Sequence, residues 1–516
     1  MLARAMPNSR PAALHHPSAA RLKPPRNEAV WLFGGLLIYF GLQLAARVWA
    51  SRSVELDEAE QLLWTQQLRL GYGPQPPLYT WVQWAFFEVL GVSVFALALL
   101  KNLLLLSTYS FTFLAARRVL TPRLAVMSTL SLMLLMQIVW ESQRDLTHSV
   151  LVTTCAAATL WVLCELVRAP HVDWYALLGL TAACGLLAKY SFAVYLAALG
   201  GALLLSPDTR RVVIDRRMLL SVAIALMLVL PHGLWVLDHL GAAVDNTAGK
   251  LSAGQGRGLG QIASGLASLA FVVPSFLTPW ILIVLALFGR GLAMRRADRE
   301  PLFAGLFLRY FALLLAVLVA MVVIGGAANF KDRWLQPFLF LAPMAFFVLW
   351  PGLEHHARRP GLVWAAAAMG ALTLVLLTLR PAYDGRRGKP DQLNLPIAAL
   401  AQSVRAAGIE PAVIVSNEQH LAGALRLVFP RSRIMLAADW SKAPNNAPPA
   451  AGALLLITSE KSFAALRTAD PAWSTLVGSE LALPYVHASA STAPARFRYA
   501  VAEPALSGGV VGGTSR

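Results

Sequence analysis

The chain alternates long apolar runs with short polar breaks. Apolar stretches of roughly 17 to 25 residues, the length a helix needs to cross a bilayer, recur at 29–50, 95–116, 123–140, 146–167, 172–188, 191–206, 218–237, 265–289, 303–324, 335–351 and 361–379. The pattern predicts an α-helical polytopic membrane protein of about eleven transmembrane helices. The run at 29–50 is long enough to span, and no small-residue cleavage site clearly ends it, so it reads as a retained first helix rather than a signal peptide. After Arg380 the period changes. "NLPIAALAQSVRAAGIEPAVIVS" gives a helical period and then a short β-branched run, and "QHLAGALRLV" and "GALLLITSEKSFAAL" repeat the alternation. This predicts a small α/β domain of βαβ-type units. The expected organisation is a disordered basic N-terminus at 1–27, a transmembrane module at 28–380 with a first loop at 51–94, an α/β domain at 381–503, and a flexible Gly- and Ser-rich tail at 504–516.

Composition agrees. Of 516 residues, 57% are hydrophobic and only 14% charged, against about a quarter charged in a soluble protein; the mean hydropathy is +0.58. The net charge of +17 suggests nucleic acid at first, but its placement argues against that partner. Arginines cluster in alternate loops: Arg117, Arg118 and Arg123; Arg168; Arg210, Arg211, Arg216 and Arg217; Arg290, Arg295, Arg296 and Arg299; Arg358 and Arg359. The intervening loops hold few cations: Arg52, Arg69, Arg144, Lys189, Lys250, Arg257, Lys331 and Arg333. By the positive-inside rule the N-terminus is cytoplasmic and everything after Arg380 is periplasmic, across a bacterial inner membrane whose lipids are the chain's first partners. Cys155, Cys164 and Cys184 lie inside apolar runs without zinc-like spacing and read as small core residues.

The candidate chemistry gathers on the outer side. The first outer loop begins "SRSVELDEAEQLLWTQQLRLGYGPQPPLYTWVQWAFFEVLG". Asp57 and Glu58 open a short amphipathic helix, where an acid also serves as a cap or first-turn residue. Pro76–Pro77 then start an aromatic-rich helix suited to headgroup depth. The next outer turn, "WESQRDLTHSV", holds Glu141, Arg144, Asp145 and His148, and Arg144–Asp145 reads equally as an exposed ion pair of little worth. Lys189 in "GLLAKYSFAVY", and Lys331 and Arg333 in "GGAANFKDRWLQPF", read either as interfacial anchors or as cations for an anion. Carboxylates early and cations later suit a site that holds an anionic head group beside a general base. The oxygens of Asp57, Glu58 and Asp145 could also coordinate a divalent cation, though nothing in their spacing requires one, and no other cofactor is implied. The basic run 380–389, "RPAYDGRRGK", reads as a solvated linker or as a face for an anionic lipid.

These stretches carry a resemblance. "LDEAEQLLWTQQLRLGYGPQPPLYTW" resembles the first periplasmic loop of bacterial GT-C glycosyltransferases of family 39, the protein-O-mannosyltransferase and aminoarabinose-transferase (lipid A-modifying) type. "GLLAKYS" and "KDRWLQP" resemble two shorter motifs of that family. The resemblance implies transfer of a sugar from a polyprenyl-phosphate donor to a lipid or glycan acceptor, lipid A or lipopolysaccharide core, on the periplasmic face. It implies Asp57 as catalytic carboxylate, with Glu58 and Asp145 in support. Tyr72, Gln75, Arg144, Lys189, Tyr190, Lys331 and Arg333 would bind substrate, the later cations holding the donor phosphate. Aminoarabinose transferases carry a lysine in E-K-P-P-L where this chain has Gln75, which opens the sugar to a hexuronic acid or a neutral hexose. Other readings are a flippase for a lipid-linked glycan, a protein O-mannosyltransferase, and a structural membrane protein. Mid-membrane polar breaks and repeats would mark a transporter; here polar residues gather at the outer ends of spans.

Overall fold

The structure is a computed structural model that describes residues 26–241, 258–293, 300–440 and 453–502. The tail at 504–516, residues 1–25 of the predicted N-terminal segment, and Lys250, Arg257, Arg295, Arg296 and Arg299 lie outside the described residues.

Each predicted apolar run is helical, but not every one is a straight span. Helix α1 (Arg26–Ala50) begins inside the segment expected to be disordered. The loop after it folds into α2 (Leu56–Trp64) and α3 (Leu78–Leu90), and the chain returns through α4 (Val94–Val119). The run 123–140 breaks: α5 (Pro122–Leu130) and a 3-10 turn end at Leu134, and beyond a bend of 69° a π turn at Gln137–Glu141 leads into α6 (Ser142–Arg144). Helices α7 (His148–Arg168), α8 (Val172–Ala188), α9 (Phe192–Leu204), α10 (Pro207–Val213) and α11 (Met218–Asp238) follow. Then come α12 (Leu259–Phe288), α13 (Pro301–Val323), α14 (Asp332–Leu339), α15 (Ala342–Leu349) and α16 (Pro360–Arg386). Among the described residues seven helices are long and apolar enough to cross a membrane, eight with the bent pair, and α8 and α9 are shorter apolar helices. The last-but-one predicted span, 335–351, is divided between α14 and α15, with Pro337 in one helix and Pro343 opening the other. This is a multi-pass membrane protein.

Helix α7 is the hub. It packs against α4 and α8, and nearly all its residues are buried, small Ala, Thr and Cys side chains letting neighbouring helices approach. Cys155 and Cys164 are buried there as free thiols, and Cys184 is half-buried in α8. At the end of the bundle remote from α2, arginines meet acids: Arg118 with Glu165 at 2.6 Å, Arg168 with Glu300 at 2.6 Å, Arg217 with Asp215 at 2.7 Å.

The residues after α16 form a five-stranded mixed sheet. The strands are β1 (Pro411–Ser416), β2 (Arg433–Leu436), β3 (Ala453–Ser459), β4 (Ser479–Leu483) and β5 (Ala495–Ala502), in the order β2-β1-β3-β5-β4. β1 pairs in parallel with β2 (Ile414 opposite Ile434) and β3 (Ile414 opposite Leu455); β5 runs antiparallel to β3 and β4. Helices α17 (Ile397–Ala406) and α18 (Gln419–Val428) cover one face. Val54, Ala59 and Leu62, from the first loop and α2, share that core with Ile414, Leu421, Leu425 and Ile434. The helix that carries Asp57 is therefore packed into the C-terminal unit as well as onto the bundle.

Candidate functional site

Helix α2 is fixed by ionic bonds at its first turn. Glu55 is the N-cap, so Asp57 is a first-turn acid, and Glu58 Oε2 accepts from the Glu55 N–H at 3.1 Å. The Glu58 carboxylate is 1% exposed and turned into the protein, 2.6 Å from Arg47 of α1 and 3.1 Å from Lys101 of α4. Burial alone would raise its pKa, but Arg47 and Lys101 outweigh burial and hold it down at about 2. Glu55 has the opposite balance: burial outweighs Arg380, 2.7 Å away, and its pKa rises to about 7. Arg380 also pairs with Asp384 and Asp391. The basic run at 380–389 is thus in large part the end of α16, and its first arginine is a structural ion-pair hub rather than a lipid-facing group.

With Glu58 turned inward, Asp57 faces a cavity of about 500 Å³. Its acidic wall is Asp57, Glu60 and Asp145. Asp145 is delivered by the bent span, whose turn is held by Gln143 donating to Asn102 Oδ1 at 3.0 Å and by Gln336 donating to Ser142 Oγ at 3.0 Å. Asp145 Oδ1 accepts from the Asp57 backbone N–H at 3.0 Å. Lys189 and Arg333 line the same cavity. Lys189 sits at the reversal between α8 and α9. There the Phe192 ring lies where a side chain at Gly185 would be, 2.2 Å from an added Cβ, so only glycine admits so tight a turn. The Lys189 ammonium donates to Ser149 Oγ at 2.8 Å. Arg333 enters from the first turn of α14. Leu318, Met321, Phe330 and Phe338 make an apolar floor beneath these charges. Burial and the neighbouring Asp145 raise the Asp57 pKa to about 6, against the pull of Arg333, Lys189 and Lys101.

Six of the ten residues singled out in the sequence line this cavity: Asp57, Asp145, Gln75, Lys189, Tyr190 and Arg333. Four do not. Glu58 is consumed by its ion pairs. Tyr72 stacks on Trp64 at 5.6 Å and exchanges two backbone hydrogen bonds with Gln75 (3.2 and 3.3 Å), so it closes the turn that presents Gln75. Arg144 donates to Glu141 Oε2 from Nε and Nη2, at 3.1 and 2.8 Å. Lys331 is exposed, one residue ahead of α14. The structure adds groups that sequence reasoning missed. Lys101 is buried beside Glu58, and its signal was an ionisable residue inside an apolar run. Gln419 enters the cavity from α18, with no local signal. Of the residues the sequence did single out, His148 is buried and accepts from the Gln61 amide at 3.2 Å, and its other ring nitrogen faces the Ala188 carbonyl at 3.3 Å. Tyr190 bonds His232 at 3.2 Å.

Among the described residues no three His, Cys, Asp or Glu side chains converge as a metal-binding set. Of the three oxygen donors the sequence offers, Glu58 is taken up by Arg47 and Lys101.

The described residues form a helical membrane bundle with an α/β unit docked on α2, and a charged cavity lined by residues of both. A family model described as dolichyl-phosphate-mannose-protein mannosyltransferase matches residues 74–235. The chain is 37% identical to the lipopolysaccharide core galacturonosyltransferase RgtB of Rhizobium johnstonii, over 80% of this chain and 84% of that protein. It is 34% identical to the core galacturonosyltransferase RgtA of the same organism, over 77% and 80%. Its fold is similar to crystal structures of ArnT from Cupriavidus metallidurans. The form bound to undecaprenyl phosphate gives a TM-score of 0.62 at 15% identity, covering 93% of this chain and 99% of that one; the apo form gives 0.57. The chain belongs to the family of these lipopolysaccharide-modifying GT-C glycosyltransferases, and it is an enzyme of that class.

Proposed function

We propose that the enzyme transfers a galacturonosyl residue from a polyprenyl-phosphate donor to the core or lipid A part of lipopolysaccharide, at the periplasmic face of the inner membrane. One observation carries the reading: a single cavity sets Asp57 and Asp145 against Lys189 and Arg333 over an apolar floor. The apolar floor suits the first units of a polyprenyl chain. The two cations suit the negative charge of the donor, carried by its phosphate and its uronate carboxylate. RgtB and RgtA, similar along most of the chain, are core galacturonosyltransferases, and RgtD, 30% identical over 41% of this chain, is a lipid A galacturonosyltransferase. ArnT has been captured with undecaprenyl phosphate.

The chemistry balances without a nucleotide. Asp57 takes the proton of an acceptor hydroxyl, whose oxygen forms the new bond to the sugar's anomeric carbon. The bond from that carbon to the phosphate oxygen breaks, and its electron pair leaves with the polyprenyl phosphate, stabilised by Lys189 and Arg333. A carboxylate with its pKa near 6 is a stronger base than an ordinary aspartate and is still ionised at neutral pH.

Replacing Asp57 with Asn tests the assignment. Transfer from a labelled polyprenyl-phosphate sugar should fall by about 10²- to 10⁴-fold, the usual contribution of a general base, with unchanged yield and unfolding temperature. Wild-type turnover in Asp57→Asn would remove Asp57 from the reaction.

A further inference from the structure

Gln419 is the one side chain from beyond α16 that lines the cavity among the described residues. Its amide donates to Glu60 Oε1 at 3.2 Å, and Glu60 lines the cavity as well. Glu60 follows Asp57 by three residues on α2, so the two carboxylates share one helix face. The position of Gln419 relative to Asp57 is firmly set. Helix α18 lies so close to α2 that a Cβ at Gly423 would fall 2.2 Å from the Ala59 carbonyl oxygen. His420 donates to the Val54 carbonyl at 2.6 Å, and Arg426 donates to Thr65 Oγ1 at 2.7 Å. Gln66 pairs with both backbone groups of Ile434 on β2, each at 2.8 Å.

The cavity lining therefore combines two kinds of group. Lys189 and Arg333 are suited to anions. Glu60 and Gln419 offer an acceptor and a donor, one helical turn from the base. We infer that the C-terminal unit completes the acceptor side of the active site, and that Glu60 and Gln419 grip the hydroxyls next to the reacting one on a glycan acceptor. A carboxylate and an amide that bond each other in the free enzyme can exchange that bond for two to neighbouring hydroxyls: the carboxylate accepts from one and the amide donates to the other. This rests on the proposed glycosyl transfer. It adds which residues select the acceptor, and it gives the C-terminal unit a part in the site.

The test uses full-length enzyme in nanodiscs, with polyprenyl-phosphate galacturonate as donor and truncated lipopolysaccharide as acceptor, each varied in turn. Gln419→Ala and Glu60→Ala should each raise the acceptor KM by about tenfold, the effect of one lost hydrogen bond to substrate. Donor KM, kcat at saturating acceptor and unfolding temperature should stay within twofold or within a degree of wild type. Gln419→Asn, with a shorter reach to the same hydroxyl, should recover part of the loss. An unchanged acceptor KM overturns the inference, as does an equal rise in both KM values, which would mark a general loosening of α2. A wild-type enzyme that transfers nothing overturns the reaction itself, and this inference with it.

Discussion

At the scale of single residues, the first loop shows how one short acidic run divides its labour. Glu55, Asp57 and Glu58 sit within four positions, yet two have raised pKa values and one has a lowered value. Burial pushes all three upward: at Glu58 the cations Arg47 and Lys101 outweigh it, at Glu55 Arg380 does not, and at Asp57 the neighbouring Asp145 adds to burial against the pull of Arg333, Lys189 and Lys101. Asp57 accepts a proton only when ionised, and its raised pKa means that this form is lost as pH falls through about 6. The kcat/KM profile should therefore rise through about pH 6 and level off above it. Asp145→Asn removes the like charge and should move that limb to lower pH. A limb that stays put in Asp145→Asn would show that another group sets it.

At the scale of elements, helix α2 is the part on which the rest depends. The sequence made the α2 acids legible because "LDEAE" follows an apolar run and opens an amphipathic period. It could not assign them, since Glu58's partners Arg47 and Lys101 lie 11 and 43 positions away. Lys101→Met breaks a buried pair without removing the charge it neutralised. The expected cost is about 3 kcal/mol, at the low end for such a break because Arg47 remains, read as a lower unfolding temperature in detergent. Transfer should fall in kcat as Asp57 loses its placement, and Lys101→Met with Glu58→Gln should recover part of the stability. A single variant as stable as wild type would contradict the clamp. The same limits of local reading apply to the spans. Length and hydropathy identify each helix, but the 69° bend that delivers Asp145 and the division of 335–351 into α14 and α15 come from packing.

At the scale of the whole molecule, charge and hydropathy gave the architecture: a helical bundle with an α/β unit over one end. The strand order β2-β1-β3-β5-β4 and the docking of α18 on α2 were out of reach, because both join residues far apart in the chain. Gln419 lies 362 residues after Asp57, counting from 57 to 419, yet both face one cavity. That joint construction makes the account a claim about a reaction as well as a fold. Its most direct test is transfer by purified enzyme in nanodiscs, offered labelled polyprenyl-phosphate sugars bearing galacturonic acid, glucose or aminoarabinose, with truncated lipopolysaccharide as acceptor. The account predicts that label moves to lipopolysaccharide from the galacturonate donor, and does not with Asp57→Asn. Preference for the neutral or amino sugar, or label that crosses between leaflets of a proteoliposome without joining an acceptor, would contradict it.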